Sequence, residues 1–200
     1  MTAIRRLKLL APLAALSLAG CGLNSVPTAE EQVNAEFGNL QAEYQRRNDL
    51  IGNLVETVKA AAGSESQILT QVIEARSRAT SVNLTPDQLS DPQAVRAFND
   101  AQAGLSNARS LLGTVIVERY PQLQSQPRFA DLMTALEGTE NRIRTQRRDY
   151  NEAVRAYNTT IRTFPDAIGA KVFYGAKPKV PFEAAAGAQE APKVDFNAAG

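Results

Sequence analysis

Four residues of this chain carry reactive or charged groups at positions where those groups must be accounted for: Cys21, Arg47, Glu140 and Arg147. Cys21 is the one thiol in 200 residues and follows Leu18-Ala19-Gly20 directly. Ahead of it stand Arg5, Arg6 and Lys8, then an apolar run from Leu9 to Leu18, which is the order of an export signal. Small residues at Ala19-Gly20 suit a signal peptidase, so the sulfur is placed for covalent modification at a processing site. Arg47 interrupts the apolar stripe of one long helical pattern, while Glu140 and Arg147 occupy or adjoin the stripe of another. An unpaired charge on a buried face is costly, so these groups are expected to pair with one another or with Glu43, Asp49 or Asp149. The favoured role is a structural polar layer that fixes helix register. The competing one is a cleft in which the same carboxylate and arginine cluster holds a small ligand or a metal.

Histidine is absent. That removes Ser-His-Asp and Cys-His nucleophile systems, His-ligated zinc and haem, and the commonest general base near neutral pH. Carboxylate-bridged metal bundles usually need Glu-x-x-His pairs, which this chain does not contain. No catalytic residue, cofactor or metal is therefore expected, and the chain reads as a non-enzyme. Lys and Arg total 22 against 21 Asp and Glu; without Arg5, Arg6 and Lys8 the balance is 19 against 21, a net of −2. A nearly neutral body gives no electrostatic case for nucleic acid. One cysteine permits no intramolecular disulfide, so stability must come from packing.

The segment ending at Cys21 resembles the lipobox of bacterial lipoproteins. That resemblance implies a diacylglyceryl group on the Cys21 sulfur, palmitate-type acylation, and a mature chain beginning there. An apolar run this short, interrupted by Pro12, falls below the ~20 residues of a transmembrane helix. Two or three acyl chains, at about 0.8 kcal/mol per buried methylene, would hold the protein on a membrane. Gly22 stands where an aspartate would mark inner-membrane retention, which favours the outer membrane if two membranes are present.

The elements that must position the remaining residues are helices. Residues 21–29 read as a lipidated tether, ended by the capping box Thr28 and Glu31. Val33, Phe37, Leu40, Tyr44, Ile51, Leu54, Val58 and Ala61 then follow in threes and fours with one gap, at Arg47, predicting a coiled-coil-like helix over 30–62. Gly63 and the box Ser64 to Gln67 predict a break, after which Ile68, Val72, Ala75, Ala79 and Val82 continue the pattern. A loop over 83–90 leads to Asp91-Pro92, an N-cap with proline at the first helical position. The third helix should bury Val95, Phe98, Ala101, Leu105, Ala108, Leu112 and Val115. The fourth, from Pro127, should bury Phe129, Leu132, Leu136, Ile143, Tyr150, Val154, Tyr157, Ile161 and Phe164 before Pro165 stops it. Gly113 and Gly138 are expected to mark close helix approach. The sum is an all-α protein: signal peptide 1–20, an antiparallel four-helix bundle over 30–165, and an irregular C-terminal tail, 166–200, docked in part through Val172, Phe173, Tyr174, Phe182 and Phe196.

Three separated motifs are similar to those of the LemA family: Gln45 to Lys59 (QRRNDLIGNLVETVK), Thr139 to Asn151 (TENRI and RRDYN), and Tyr157 to Pro165 (YNTTIRTFP), with the tail from Phe182 to Phe196 matching as well. The resemblance covers nearly all of the mature chain. It implies an extracytoplasmic, membrane-attached helical bundle with no accepted catalytic residues to carry over. Relatives are often encoded near envelope proteins with a TPM domain or membrane metalloproteases, which implies an envelope protein as partner. The family usually has proline where Gly52 stands, and many members keep a transmembrane helix where this chain has a lipobox. The expected function is thus an adaptor or scaffold of the bacterial cell envelope, lipid-anchored and extracytoplasmic.

Overall fold

The structure, a computed structural model, describes residues 24–62 and 67–183. In chain order it contains helix α1, Ser25–Ala62; α2, Gln67–Ser81; a 3₁₀ turn, Pro86–Ser90; α3, Pro92–Arg119; α4, Pro121–Gln124; α5, Pro127–Thr160; α6, Asp166–Gly169; and a π-helical turn, Ala170–Tyr174. Residues 175–183 form an extended strap, and no strand occurs among the described residues. Phe37 meets Tyr150, Glu43 meets Arg142 and Arg47 meets Glu140, so α1 and α5 run antiparallel. Tyr44 meets Phe98 and Arg47 meets Ser106, so α1 and α3 run parallel. The fold is all-α, an antiparallel bundle of four long helices.

Each helix forms where the apolar period falls, and departures have local causes. The α1 stripe is buried at every described position, and Arg47 fills its gap, buried as well. The helix starts at Ser25 rather than at the Thr28 capping box, because Val26 and Ala29 join the core and carry it one turn back into the expected tether. Thr28 instead bonds back to the Asn24 carbonyl. The expected break at 63–66 lies outside the described residues, as do the export signal, Cys21 and Phe196. On α2, Val72, Ala75 and Ala79 are buried, and Leu69 takes the buried place expected for Ile68, which is half-buried. Asp91 caps α3 by accepting from the Gln93 N–H at 2.9 Å. Gln102 and Ile116 take the buried places expected for Ala101 and Val115, one residue along.

Helix α5 ends at Thr160, short of Pro165, so Phe164 is off the stripe and 83% exposed. Neither Gly113 nor Gly138 marks a close approach: a Cβ would come no nearer than 4.0 Å to Met133 and 3.6 Å to the Arg142 guanidinium. The close approach is at Gly52, where a Cβ would lie 3.2 Å from the Arg76 guanidinium carbon. The tail expected to be wholly irregular opens with α6 and the π turn. Gly175 at φ +54°, a conformation open to glycine, ends that turn and sends the chain back along the bundle.

The core falls into two clusters. One, at the end where α1 begins, gathers Val33, Phe37, Leu40, Tyr44, Phe98, Tyr150, Tyr157 and Phe182. The other, at the far end, gathers Ile51, Leu54, Val58, Leu69, Val72, Leu105, Leu112, Ile116, Phe129 and Leu136.

Candidate functional site

Between those clusters lies the polar layer. Arg47 is 1% exposed. Its Nη1 donates to Ser106 Oγ at 2.7 Å and faces Glu140 Oε1 at 3.4 Å, while its Nη2 donates to Gln102 Oε1 at 2.5 Å and to the Gln102 carbonyl at 3.3 Å. Gln102 passes the network on by donating to the Ala79 carbonyl at 3.1 Å, and Arg109 approaches the same Glu140 oxygen at 3.8 Å. The guanidinium also lies 5.1 Å from the centre of the Tyr44 ring. One side chain of α1 is thereby tied to α3, α5 and, through Gln102, to α2.

Burial governs the electrostatics. It pushes the Arg47 guanidinium below its ordinary value, and the Glu140 carboxylate and Tyr44 oppose that shift. Burial raises the Tyr44 phenol, with Arg147 and Arg47 pulling it partly back and Glu140 adding to the rise. Arg47 Nε has no hydrogen-bond partner, so the layer is not fully satisfied. A buried guanidinium held by neutral acceptors and one partly exposed carboxylate can specify how the helices align.

Arg147 lies apart from this pair. It donates to Asn99 Oδ1 at 3.1 Å and to the Glu183 carbonyl, and its guanidinium sits 5.7 Å from the Phe182 ring centre. The structure therefore brings Arg47 and Glu140 together and gives Arg147 to the strap. Glu43 pairs with Arg142 at 2.9 Å and Asp149 with Arg148 at 3.2 Å, while Asp49 accepts from Gln45. Thr139, beside Glu140, is buried.

The strap is held by a device that helical periodicity did not reveal. Asn158 accepts from the Lys179 N–H at 2.9 Å and donates to the Lys179 carbonyl at 2.8 Å; Asn151 does the same to Phe182, at 2.8 and 2.9 Å. Each amide thus acts as a short piece of β ladder. The asparagines are seven residues apart on a helix, about 10.5 Å, and their targets three apart on an extended chain, about 10 Å, so the two spacings match. Tyr150 Oη donates to the Val180 carbonyl at 3.0 Å, and the Val180 N–H donates to the Leu89 carbonyl at 2.8 Å. Lys179 is buried against Glu30 at 2.9 Å and the Pro86 carbonyl at 3.3 Å. The readable signal was the repeated pair Tyr150-Asn151 and Tyr157-Asn158 ahead of the proline-spaced segment 178–182.

A groove of about 380 Å³ runs between α1, α2 and α3, floored by Tyr44, Phe98 and Gln102 and edged by Gln41, Asn48 and Thr80. Asn48 is buried there and its Oδ1 has no hydrogen-bond partner. Among the described residues no three His, Cys, Asp or Glu side chains gather as a metal site would require. Nor is any described helix long and apolar enough to cross a membrane.

The sequence profile of the LemA family matches residues 36–196, which takes in the arginine layer, both asparagines and the strap. The chain is 30% identical over 158 residues to magnetosome proteins MamQ 1 and MamQ 2 of Paramagnetospirillum magneticum, and 29% identical to magnetosome protein MamQ of Magnetospirillum gryphiswaldense. Each alignment covers 71% of this chain and 58% of the relative, so the chain spans well under two thirds of those proteins.

Proposed function

The chain belongs to the LemA family, and from that premise we propose that it is a membrane-attached, extracytoplasmic lipoprotein, acylated at Cys21, that serves as a non-enzymatic envelope adaptor. Its bundle is a stiff rod, with α1 alone about 57 Å long at 1.5 Å per residue. A lipid fixes one end, and the charged outer faces of the helices meet a protein partner of the envelope. The observation that carries this reading is the enclosure of Arg47: the most reactive-looking cluster of the chain is spent inside the bundle on joining helices. What remains available to other molecules is surface, as in an adaptor.

Two measurements test it. Mass spectrometry of the protein isolated from native membranes should find Cys21 as the first residue, carrying an acyl-glyceryl mass. An intact Met1 and a free thiol would remove the anchor. Crosslinking in intact membranes should then recover the same envelope protein in repeated preparations, and recovery of none would remove the adaptor role.

The second reading is a small-ligand binder. It is favoured by the groove above Gln102 and the unpartnered Asn48 Oδ1, an acceptor waiting for a donor. A ligand there would reach Arg47 through Gln102 and Tyr44. Retention of a small molecule through purification, lost in Asn48→Leu, would favour it over the adaptor.

A further inference from the structure

Exposed large apolar side chains are scattered singly over α2 and α3, at Ile73, Leu111 and Val117, as on most proteins. The segment 164–173 is different. Phe164 is 83% exposed, Ile168 57%, and Val172 and Phe173 68% each, four within ten residues. Their exposure does not come from a loosely held segment. Gly169 and Ala170 are buried against the core, the Ala176 N–H closes the turn onto the Ala170 carbonyl at 3.0 Å, and Ser25 Oγ donates to Asp166 Oδ1 at 2.6 Å. The bundle thus holds an apolar knuckle outward, beside the first residue of α1.

That location identifies what covers it. Ser25 is the fourth residue after Cys21, a reach of at most about 14 Å. A lipid on Cys21 therefore brings the end of the bundle that carries the knuckle against the bilayer. Over 161–182 there are four cations, Arg162, Lys171, Lys177 and Lys179, against the single carboxylate of Asp166. Lys179 is spent on Glu30, leaving Arg162, Lys171 and Lys177 exposed around the apolar residues. Aromatic and aliphatic side chains ringed by cations suit the boundary between acyl chains and anionic headgroups. The last residues of the chain are the other available occupant, but the strap leaves the knuckle toward Glu183, alongside Arg147 in the middle of α5.

We propose that Phe164, Ile168, Val172 and Phe173, with Arg162, Lys171 and Lys177 around them, form a second membrane contact that inserts into the interface of an anionic bilayer and sets the rod upright on it. The proposal rests on the acylated Cys21 of the reading above. It turns a flexible tether into a fixed posture, since one lipid and one inserted knuckle at the same end define an orientation.

The test uses the full chain acylated at Cys21, so that Phe173→Cys introduces the one free thiol, with Val117→Cys at the opposite end as control. Each is labelled with a fluorophore and reconstituted into vesicles of phosphatidylcholine and phosphatidylglycerol containing nitroxide lipid. Emission at 173 should fall by about twofold or more, with that at 117 unchanged. Benzophenone on the same thiol should crosslink to lipid. Equal emission at both sites, or crosslinking at 173 to residues 184–200 or to a second protein, would overturn the proposal. Failure of the anchor is read separately, from the mass of Cys21. In Cys21→Ser protein added to vesicles, continued quenching at 173 supports the knuckle without the anchor, and its loss in Phe164→Ser/Val172→Ser supports those side chains as the contact. Quenching unchanged by that double substitution would overturn the assignment.

Discussion

On the α1-start side of the arginine layer the core is aromatic, with Phe37, Tyr44, Phe98, Tyr150 and Phe182 linked by ring contacts and Tyr157 in the same cluster; on the far side it is aliphatic, with Phe129 its one buried ring. The aliphatic half is built by long helices whose stripes meet, closed by Leu123 of the short α4. The aromatic half also needs the 3₁₀ turn, through Leu89, and the strap, through Phe182, which lies 4.9 Å from Tyr150 and 6.0 Å from Phe98. Large rings leave gaps that a helix face alone does not fill, and the strap fills them. One half therefore rests on local periodicity and the other on a segment distant in sequence. The strapped half is also the one at the proposed membrane, so its order and its attachment are linked.

Removing the boundary should have the largest effect. Arg47→Ala leaves a cavity, strands the Gln102 acceptors and frees Glu140, and should destabilise the bundle by about 3–5 kcal/mol in denaturant melts. Arg47→Leu with Glu140→Leu should recover most of that stability, because an apolar pair of similar volume meets no desolvation penalty. If the layer sets register, the recovered protein will give broadened or multiple amide resonances. A single sharp spectrum would mean that the apolar stripes align the helices unaided.

Phe182→Ala separates the halves more cleanly, at about 3 kcal/mol for a buried ring. Hydrogen exchange should accelerate around Phe37, Phe98 and Tyr150 and stay slow around Leu54 and Leu112. Uniform acceleration would show that the two clusters unfold as one unit. Next in size is Asn151→Ala with Asn158→Ala, which removes both amide clamps for about 2–3 kcal/mol together and should expose 175–183 to proteases with the aliphatic half intact.

How much of this the residues disclose follows the same division. The stripe of α1, the cap at Asp91 and the buried ends of the Arg47 gap can be read from spacing, since a 3.6-residue period carries them. Gln102 and Ile116 were missed because the apolar neighbours Ala101 and Val115 were preferred by residue type, although Val95, Phe98, Gln102, Leu105, Leu112 and Ile116 keep the three-and-four spacing of a heptad along α3. Partnership was legible for Arg47 with Glu140 as one of several pairings; Arg147 was assigned to the layer because nothing local says that a strap returns to cover it. The clamps of Asn151 and Asn158 join a helix to an extended segment, a match between two periods that neither shows alone. The knuckle escaped because Phe164 keeps the seven-residue spacing after the helix has ended, and because Val172, Phe173 and Tyr174, expected to dock the tail, are exposed while Phe182 alone of the described docking residues is buried.

Alkaline titration should strike the aromatic half first. Burial raises the phenols of Tyr44, Tyr150 and Tyr157, the last pushed up to about 12 with help from Glu30. A raised phenol favours the protonated folded state, so its contribution is intact below pH ~10, where the unfolded phenol still holds its proton, and is lost as pH climbs through the folded value. At pH 11 the loss should be about 1 kcal/mol for Tyr157, and Tyr157→Phe should flatten the decline. Exchange near Phe129 and Leu112 should lag behind that near Phe98; a simultaneous rise would tie the halves together.

The smallest effect is expected at Gly52, on the aliphatic side of the layer. Alanine there should gain about 1 kcal/mol of helix propensity. The new methyl would stand 3.2 Å from the Arg76 guanidinium, which donates from Nε to the Asn48 carbonyl at 3.0 Å and is pinned by that bond. The two terms oppose, so Gly52→Ala alone should change stability by less than about 0.5 kcal/mol. In an Arg76→Ala background the crowding is gone and the same change should stabilise by about 1 kcal/mol. Additive behaviour would mean that Arg76 moves aside freely, leaving the α1–α2 seam without the polar tie that the layer gives the rest of the bundle.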